Sequence, residues 1–196
     1  SKPKWIGQDL ENKKLLVIAE QSIGDTFQYI RFAKQLAMEG AEITVMSQPE
    51  IMNILKQQKW IKDVIEYDDI TQYDYYTYLL SIPKVIEWSP KMDTQKFPYI
   101  AINNNIADKV INTKKNIGMM IKADSTLSNY KQITIPHEKI KSVLKKTSHN
   151  IIDLGGFDNF DQLSDVIKDL DLVISIESDI VHLAGALNIP TWVMLP

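Results

Sequence analysis

Short, uninterrupted apolar runs alternate with segments of helical period along almost the whole chain, and this alternation constrains the fold more than any other feature. Lys14–Ala19, Ile43–Met46, Val64–Tyr67 and Tyr76–Leu80 read as strands in the first half, and Ile117–Ile121, Asn150–Leu154, Leu172–Ile176 and Thr191–Leu195 in the second. They lack the period-two polarity of half-solvated strands, which suits sheets covered on both faces. Between them lie helical segments at about Thr26–Glu39, Pro49–Gln57, Pro136–Lys146, Phe160–Leu170 and Asp179–Leu187. In the first of these Phe27, Ile30, Ala33 and Ala37 recur at helical spacing, and Gly40 stops it. Strand, helix and strand in succession argue for parallel pairing. An Asn-rich stretch from Asn103-Asn104-Asn105 to Asn112-Thr113-Lys114-Lys115 separates the two alternations. The expected architecture is therefore α/β: two Rossmann-like, doubly wound units, residues 1–110 and 111–196, with a cleft between them.

Composition excludes several classes of function. With 44% hydrophobic and 24% charged residues, the 196-residue chain has an ordinary globular balance. Its net charge is -3, with Lys and Arg interspersed among Asp and Glu, so it lacks the basic stripe that nucleic-acid binding requires. The absence of cysteine removes disulfides, thiolate nucleophiles and zinc sites of the Cys type, and fits a reducing, cytoplasmic compartment. No apolar run approaches the roughly 20 residues that span a bilayer, and the N-terminus has no signal-peptide core. The chain begins at Ser1-Lys2-Pro3-Lys4 and stops at Pro196 directly after an apolar run, which is expected of a part of something longer.

Two strand-to-helix turns carry the polar residues of interest. Ala19-Glu20-Gln21-Ser22-Ile23-Gly24-Asp25-Thr26 places a carboxylate at a helix entrance, where backbone N–H groups and the positive end of the helix dipole keep it ionised. Within reach of an acceptor hydroxyl, Asp25 is suited to act as general base, a role worth about 10²–10⁴ in rate. Alternatively it caps the helix, worth about 1 kcal/mol. The second turn runs through Ile174-Ser175-Ile176-Glu177-Ser178-Asp179, with Ser178 as N-cap and His182 four residues on, along the same helical face. A diphosphate fits such a turn, and His182 could donate to a phosphate oxygen as charge builds on a leaving nucleotide. Equally, His182 is a core histidine. In either case Ala184-Gly185-Ala186 is expected to let this helix pack close to its sheet.

Other candidates are weaker. Asp169-Leu170-Asp171 and Asp68-Asp69 read as loop acids, and Tyr73, Tyr75, Tyr76 and Tyr78 suit sugar stacking and a half-buried strand equally well. His137 and His149 have no ligand-like spacing to His182, so no metal site is expected. The Walker and Gly-x-Gly-x-x-Gly patterns are absent, which argues against kinases, ATPases and dinucleotide oxidoreductases.

The ordered set of motifs resembles the heptosyltransferase-like glycosyltransferases, in particular the domain that follows tetratricopeptide repeats in many bacterial proteins. The likeness runs through Pro3-Lys4-Trp5-Ile6-Gly7, Leu15-Leu16-Val17, Glu20 to Phe32, Tyr73-Asp74-Tyr75 and Leu79-Leu80-Ser81-Ile82-Pro83. It resumes at Leu170 to Ser175, His182 to Leu187 and Pro190-Thr191-Trp192-Val193.

This resemblance implies the GT-B architecture, with the nucleotide-sugar held mainly by the second unit and a saccharide or protein acceptor facing the first. It implies no metal and no cofactor. By the same resemblance Asp25 is the general base, and Gly24, Glu177, Ser178, His182 and Lys131 belong to donor binding. Glu177 stands where relatives carry aspartate, Ser22 where glycine is usual, Ala123 at a glycine position and Lys131 in place of an arginine, which it does not match as a bidentate phosphate ligand. The Lys122–Thr134 loop is shorter than in relatives, and relatives continue beyond the position of Pro196. The second unit is therefore expected to be shortened, leaving apolar surface around Trp192 and Leu195 that a second copy of the chain could cover. Three functions follow: a glycosyltransferase, a non-catalytic nucleotide-sugar-binding or scaffold domain of a repeat protein, and a sugar-nucleotide epimerase of the same two-domain form.

Overall fold

Among the described residues, eight parallel strands form two four-stranded sheets. The computed structural model describes residues 2–66, 70–92, 97–102, 113–122, 135, 136, 138, 140, 146–157 and 159–195. The chain divides into two units, Ser1–Ala101 and Ile102–Pro196.

In the first unit, strands β1 (Lys14–Ile18), β2 (Glu42–Met46), β3 (Ile61–Ile65) and β4 (Tyr75–Tyr78) lie in the order β3-β2-β1-β4. Leu15, Leu16 and Val17 are all fully buried, so β1 is covered on both faces, as its unbroken apolar run requires. Helix α1 (Ile23–Met38) presents Phe27, Ile30, Ala33 and Leu36 to this core. It ends in a Schellman motif: Gly40 adopts φ +101°, Ala41 N–H donates to Leu36 O at 3.1 Å and Gly40 N–H to Ala37 O at 3.2 Å. Helix α1 thus begins three residues before the expected Thr26, with Ser22 as its cap. The expected Pro49–Gln57 helix is a 3₁₀ turn, Pro49–Ile51, running into the short α2 (Met52–Lys56). A second 3₁₀ turn, Leu79–Ser81, leads from β4 into α3 (Ile82–Val85).

In the second unit, β5 (Asn116–Met120), β6 (Asn150–Asp153), β7 (Leu172–Ile176) and β8 (Thr191–Met194) lie in the order β6-β5-β7-β8. Asn159 caps α4 (Phe160–Ile167) by accepting from Gln162 N–H at 2.9 Å. Helix α5 (Asp179–Ala186) ends in its own Schellman motif, with Asn188 at φ 62° and Ile189 N–H donating to Ala184 O at 2.9 Å. Ala184 and Ala186 are fully buried, but a Cβ on Gly185 would meet nothing within 4 Å. The close packing expected of the Ala184-Gly185-Ala186 run therefore comes from its alanines, not its glycine. Gly118 is where close approach matters, since a Cβ there would lie 2.5 Å from Leu170 Cδ1 and 2.8 Å from Leu154 Cδ1. On the sheet face shared by Ile174 and its register partner Trp192, the cover is thinner: Ile174 is half-buried and Trp192 is 64% exposed.

Both units clamp the start of their inner strand in the same way. In the first, Lys14 N–H donates to Asp74 Oδ2 at 2.8 Å while Asp74 N–H donates to Lys14 O at 2.9 Å. In the second, Asn116 N–H donates to Asp171 Oδ2 at 2.9 Å and Asp171 N–H to Asn116 O at 2.9 Å, with Lys115 Nζ 3.3 Å from Asp171 Oδ1. Asp171 is thus a strand clamp, which corrects its reading as a solvated loop acid. Asp68-Asp69, His137, most of the expected Pro136–Lys146 helix and the 123–134 stretch that contains Lys131 lie outside the described residues.

Candidate functional site

In a doubly wound sheet, ligands bind beyond the carboxyl ends of the strands where the strand order reverses. That point lies between β1 and β4 in the first unit and between β5 and β7 in the second. The Asp25 turn follows β1 and the Ser178 turn follows β7, so both sequence-derived turns stand at these switch points.

Asp25 is the third residue of α1 and is half-buried, beside the buried Gly24. It forms a reciprocal capping box with Ser22. Asp25 N–H donates to Ser22 Oγ at 3.1 Å, and Asp25 Oδ2 accepts from Ser22 N–H at 3.2 Å and from Ser22 Oγ–H at 2.8 Å. All the capping bonds to the carboxylate fall on Oδ2. Oδ1 takes none of them. The two readings of Asp25, cap and base, therefore use different oxygens of one carboxylate and are compatible.

The turn before Asp25 is held by residues that no sequence pattern pairs. Glu20 accepts from Leu79 N–H at 3.0 Å and Leu80 N–H at 3.3 Å, so its carboxylate bridges the ends of β1 and β4. Gln48, beyond β2, donates from Nε2 to Gln21 O at 2.7 Å and presents Oε1 to Thr26 Oγ1 at 3.1 Å. Only residue type and place hint at these roles: a carboxylate and an amide just after buried strands.

In the second unit Ser178 occupies the N-cap position of α5, but its side chain makes no capping bond. Ser175, fully buried, donates to Ile176 O at 2.6 Å, and its Oγ lies 3.1 Å from Ser178 Oγ. The two hydroxyls are hydrogen-bonded to each other, and either can be the donor. His182 is half-buried on α5, its side chain makes no hydrogen bond among the described residues, and it lies one helical turn beyond Ser178. Glu177 is exposed between β7 and the cap. The second unit thus brings Glu177, Ser178 and His182 to one turn, and the first brings Gly24 and Asp25 to another.

Elsewhere, a hollow of about 440 Å³ lined by Lys115, His149, Asp171 and Trp192 opens at the amino-terminal edge of the second sheet, away from the switch point. No group of three or more His, Cys, Asp or Glu among the described residues is placed to hold a metal ion. No helix among the described residues is long and apolar enough to cross a membrane.

Neither a protein-family model nor a curated protein sequence matches the chain. Solved structures do match. A glycosyl transferase family 9 protein from Veillonella parvula aligns with a TM-score of 0.65 and 13% identity over 96% of this chain and 82% of its own. The dodecameric iron-containing heptosyltransferase TibC, solved with ADP-D-β-D-heptose, gives a TM-score of 0.69 at 12% identity over 96% of this chain and 60% of TibC. The E. coli heptosyltransferase WaaC with ADP gives 0.60 at 13% identity, over 92% of this chain and 86% of WaaC. The chain thus spans less than two thirds of TibC and most of the other two. At these identities the likeness establishes the fold, an α/β pair of parallel-sheet units shared with heptosyltransferase-like glycosyltransferases.

Proposed function

We propose that the protein is a glycosyltransferase that moves a sugar from a nucleoside-diphosphate donor to an acceptor hydroxyl on a saccharide or protein, without a metal. The supporting observation is the division of labour within the Asp25 carboxylate: Ser22 anchors Oδ2 and leaves Oδ1 outside the capping box. Oδ1 takes the acceptor proton, the acceptor oxygen attacks the anomeric carbon, and the bond from that carbon to the diphosphate breaks. The nucleoside diphosphate departs with the electron pair. Ser178 and His182 receive the diphosphate, with Gly24, Glu177 and Lys131 completing the donor contacts, and His182 offsets the charge that builds as the bond breaks.

Assigning the diphosphate to the second unit has a physical basis in the first. There the N–H groups of Leu79 and Leu80, just past β4, already hold the Glu20 carboxylate, so an anion that took them would have to displace a built-in one. The ADP and ADP-heptose ligands of WaaC and TibC favour an adenine nucleotide as the first donor class to test. A repeat-protein context and a cytoplasmic setting belong to the same reading.

A second reading, a nucleotide-sugar-binding scaffold without turnover, draws on the capping box itself, because a structural role for Asp25 needs no chemistry. Calorimetric titration with ADP, UDP, GDP and CDP, for wild type and His182→Ala, tests the donor site. Binding of one nucleotide that weakens at least tenfold in the variant is expected, since a hydrogen bond to a charged group is worth about 1.5–3 kcal/mol. Equal affinity in both proteins would remove His182 from the site. Transfer from any donor sugar then separates the enzyme from the scaffold.

A further inference from the structure

The turn that leads into Asp25 is tethered at every residue. Ala19 N–H donates to Met46 O at 2.9 Å, and the Glu20 carboxylate takes the N–H groups of Leu79 and Leu80. Gln21 O accepts from Gln48 Nε2 at 2.7 Å, and Ser22 O accepts from Thr26 N–H at 3.0 Å. A capping box alone fixes Asp25 relative to Ser22. It does not fix Ser22 relative to the sheet.

The Gln48 side chain supplies that missing link. Its two amide atoms do different work: Nε2 holds the carbonyl before Ser22, and Oε1 faces Thr26 Oγ1, the residue after Asp25. Thr26 Oγ1 also lies 3.2 Å from Ser22 O, so its single proton is shared between Ser22 O and Gln48 Oε1. One amide therefore grips the chain on both sides of the Ser22–Asp25 pair. Gln48 is itself anchored, since Ser47 is 5% exposed and its Oγ lies 3.3 Å from Gln48 O. Only Ser47 separates Gln48 from the end of β2, so the grip transmits the position of the sheet to the turn.

We propose that Gln48 is a positioning residue for Asp25: through its Nε2–Gln21 O bond it fixes where Asp25 Oδ1 stands, without touching the reacting atoms. The catalytic consequence rests on the glycosyltransferase reading, whereas the positional one does not. An error of about 1 Å in a reacting group is enough to cost about 10²-fold in rate.

Two substitutions separate the amide's roles. Gln48→Glu is isosteric and keeps an acceptor for Thr26 but sets a carboxylate oxygen against Gln21 O. Gln48→Leu removes both bonds. Amide hydrogen exchange reads position without any substrate. In both variants the Ser22 and Asp25 amides should exchange roughly tenfold faster, the ratio expected for loss of one ordinary hydrogen bond, while those of Leu16 and Val17 in β1 stay as in wild type. With ADP-heptose as donor, kcat should fall about 10- to 100-fold in both, more than any rise in the donor KM, because Gly24 is the one proposed donor contact in this turn.

Wild-type exchange at Ser22 and Asp25 in Gln48→Leu would overturn the proposal, and so would an unchanged kcat in a variant whose turn has loosened. If wild type itself transfers no sugar from any donor, the glycosyltransferase reading fails on its own, and the exchange rates still decide whether Gln48 positions Asp25. Faster exchange at Leu16 and Val17 as well would assign Gln48 to general stability and overturn the proposal.

Discussion

Ser22 and Asp25 hold each other through three bonds, of 2.8, 3.1 and 3.2 Å, and the carboxylate contributes only its Oδ2 to them. Asp25→Asn tests what Oδ1 does. An asparagine oriented with its oxygen toward Ser22 keeps the acceptor for Ser22 N–H, so the helix start survives and thermal stability should drop by no more than about 1 kcal/mol. The base is lost, and sugar transfer should fall about 10²–10⁴-fold while nucleotide affinity holds. Transfer within threefold of wild type would show that Asp25 is only a cap.

Ser175 Oγ, 3.1 Å away, is the hydrogen-bond partner of the Ser178 hydroxyl. With Ser175→Ala the Ser178 hydroxyl loses its partner, and the side chain becomes free to rotate and cap α5, as serine at that position ordinarily does. A self-capped helix offers its first N–H groups less readily to a diphosphate. Affinity for the nucleotide that binds wild type should fall about threefold to tenfold, the equivalent of a cap worth about 1 kcal/mol, with melting temperature little changed, because the new cap offsets the lost bond from Ser175 Oγ to Ile176 O. Tighter binding in Ser175→Ala would show that Ser178 does not compete with the ligand.

How legible these features were depended on how far apart in sequence the partners lie. Local signals were readable: unbroken apolar runs marked seven of the eight strands to within about two residues, and Gly40 marked the end of α1. The eighth, β3, starts at Ile61 instead of Val64, because Lys62 and Asp63 are exposed on an edge strand and interrupt the apolar run. The strand expected to reach Leu80 stops at Tyr78 because Glu20, from 59 residues earlier, takes the Leu79 N–H and turns the backbone into 3₁₀ geometry. The grip of Gln48 on Gln21 spans 27 residues and has no local pattern at all. Asp25, Ser178 and His182 were nameable because each sits beside a helix start, whereas Glu20, Gln48 and Ser175 acquire roles only once the sheet order brings β2 and β4 alongside β1 and packs Ser175 inside β7.

Gly118 leaves no room for a side chain. Its neighbours Leu170 and Leu154 are 1% and 2% exposed, so neither has room to swing away from an added methyl group. Gly118→Ala should destabilise the protein, because overpacking costs about 1–3 kcal/mol and the backbone entropy saved in a strand returns only about 0.5–1 kcal/mol. Urea denaturation reads the loss. Adding Leu170→Ala should cost less in the Gly118→Ala background than in wild type, since the alanine methyl occupies part of the space the leucine vacates. A fully additive pair would place the strain elsewhere.

Lys34, half-buried on α1, links stability to pH with a definite sign. Burial holds its pKa below the ordinary 10.5, because the charged ammonium loses hydration. In the window just below 10.5 the unfolded chain therefore binds more protons than the folded one, and the Lys34 contribution to stability rises with pH there. At neutral pH both states are protonated and the full desolvation cost remains. Lys34→Met keeps the unbranched stem without the charge, so it should be more stable than wild type at pH 7, with the difference shrinking as pH climbs toward 10.5. Comparing the two proteins at each pH cancels the titration of the other lysines and tyrosines. A gap that stays constant or widens with pH would mean that the Lys34→Met variant gains from packing alone, and that the Lys34 ammonium in the folded protein is solvated as well as in the unfolded chain.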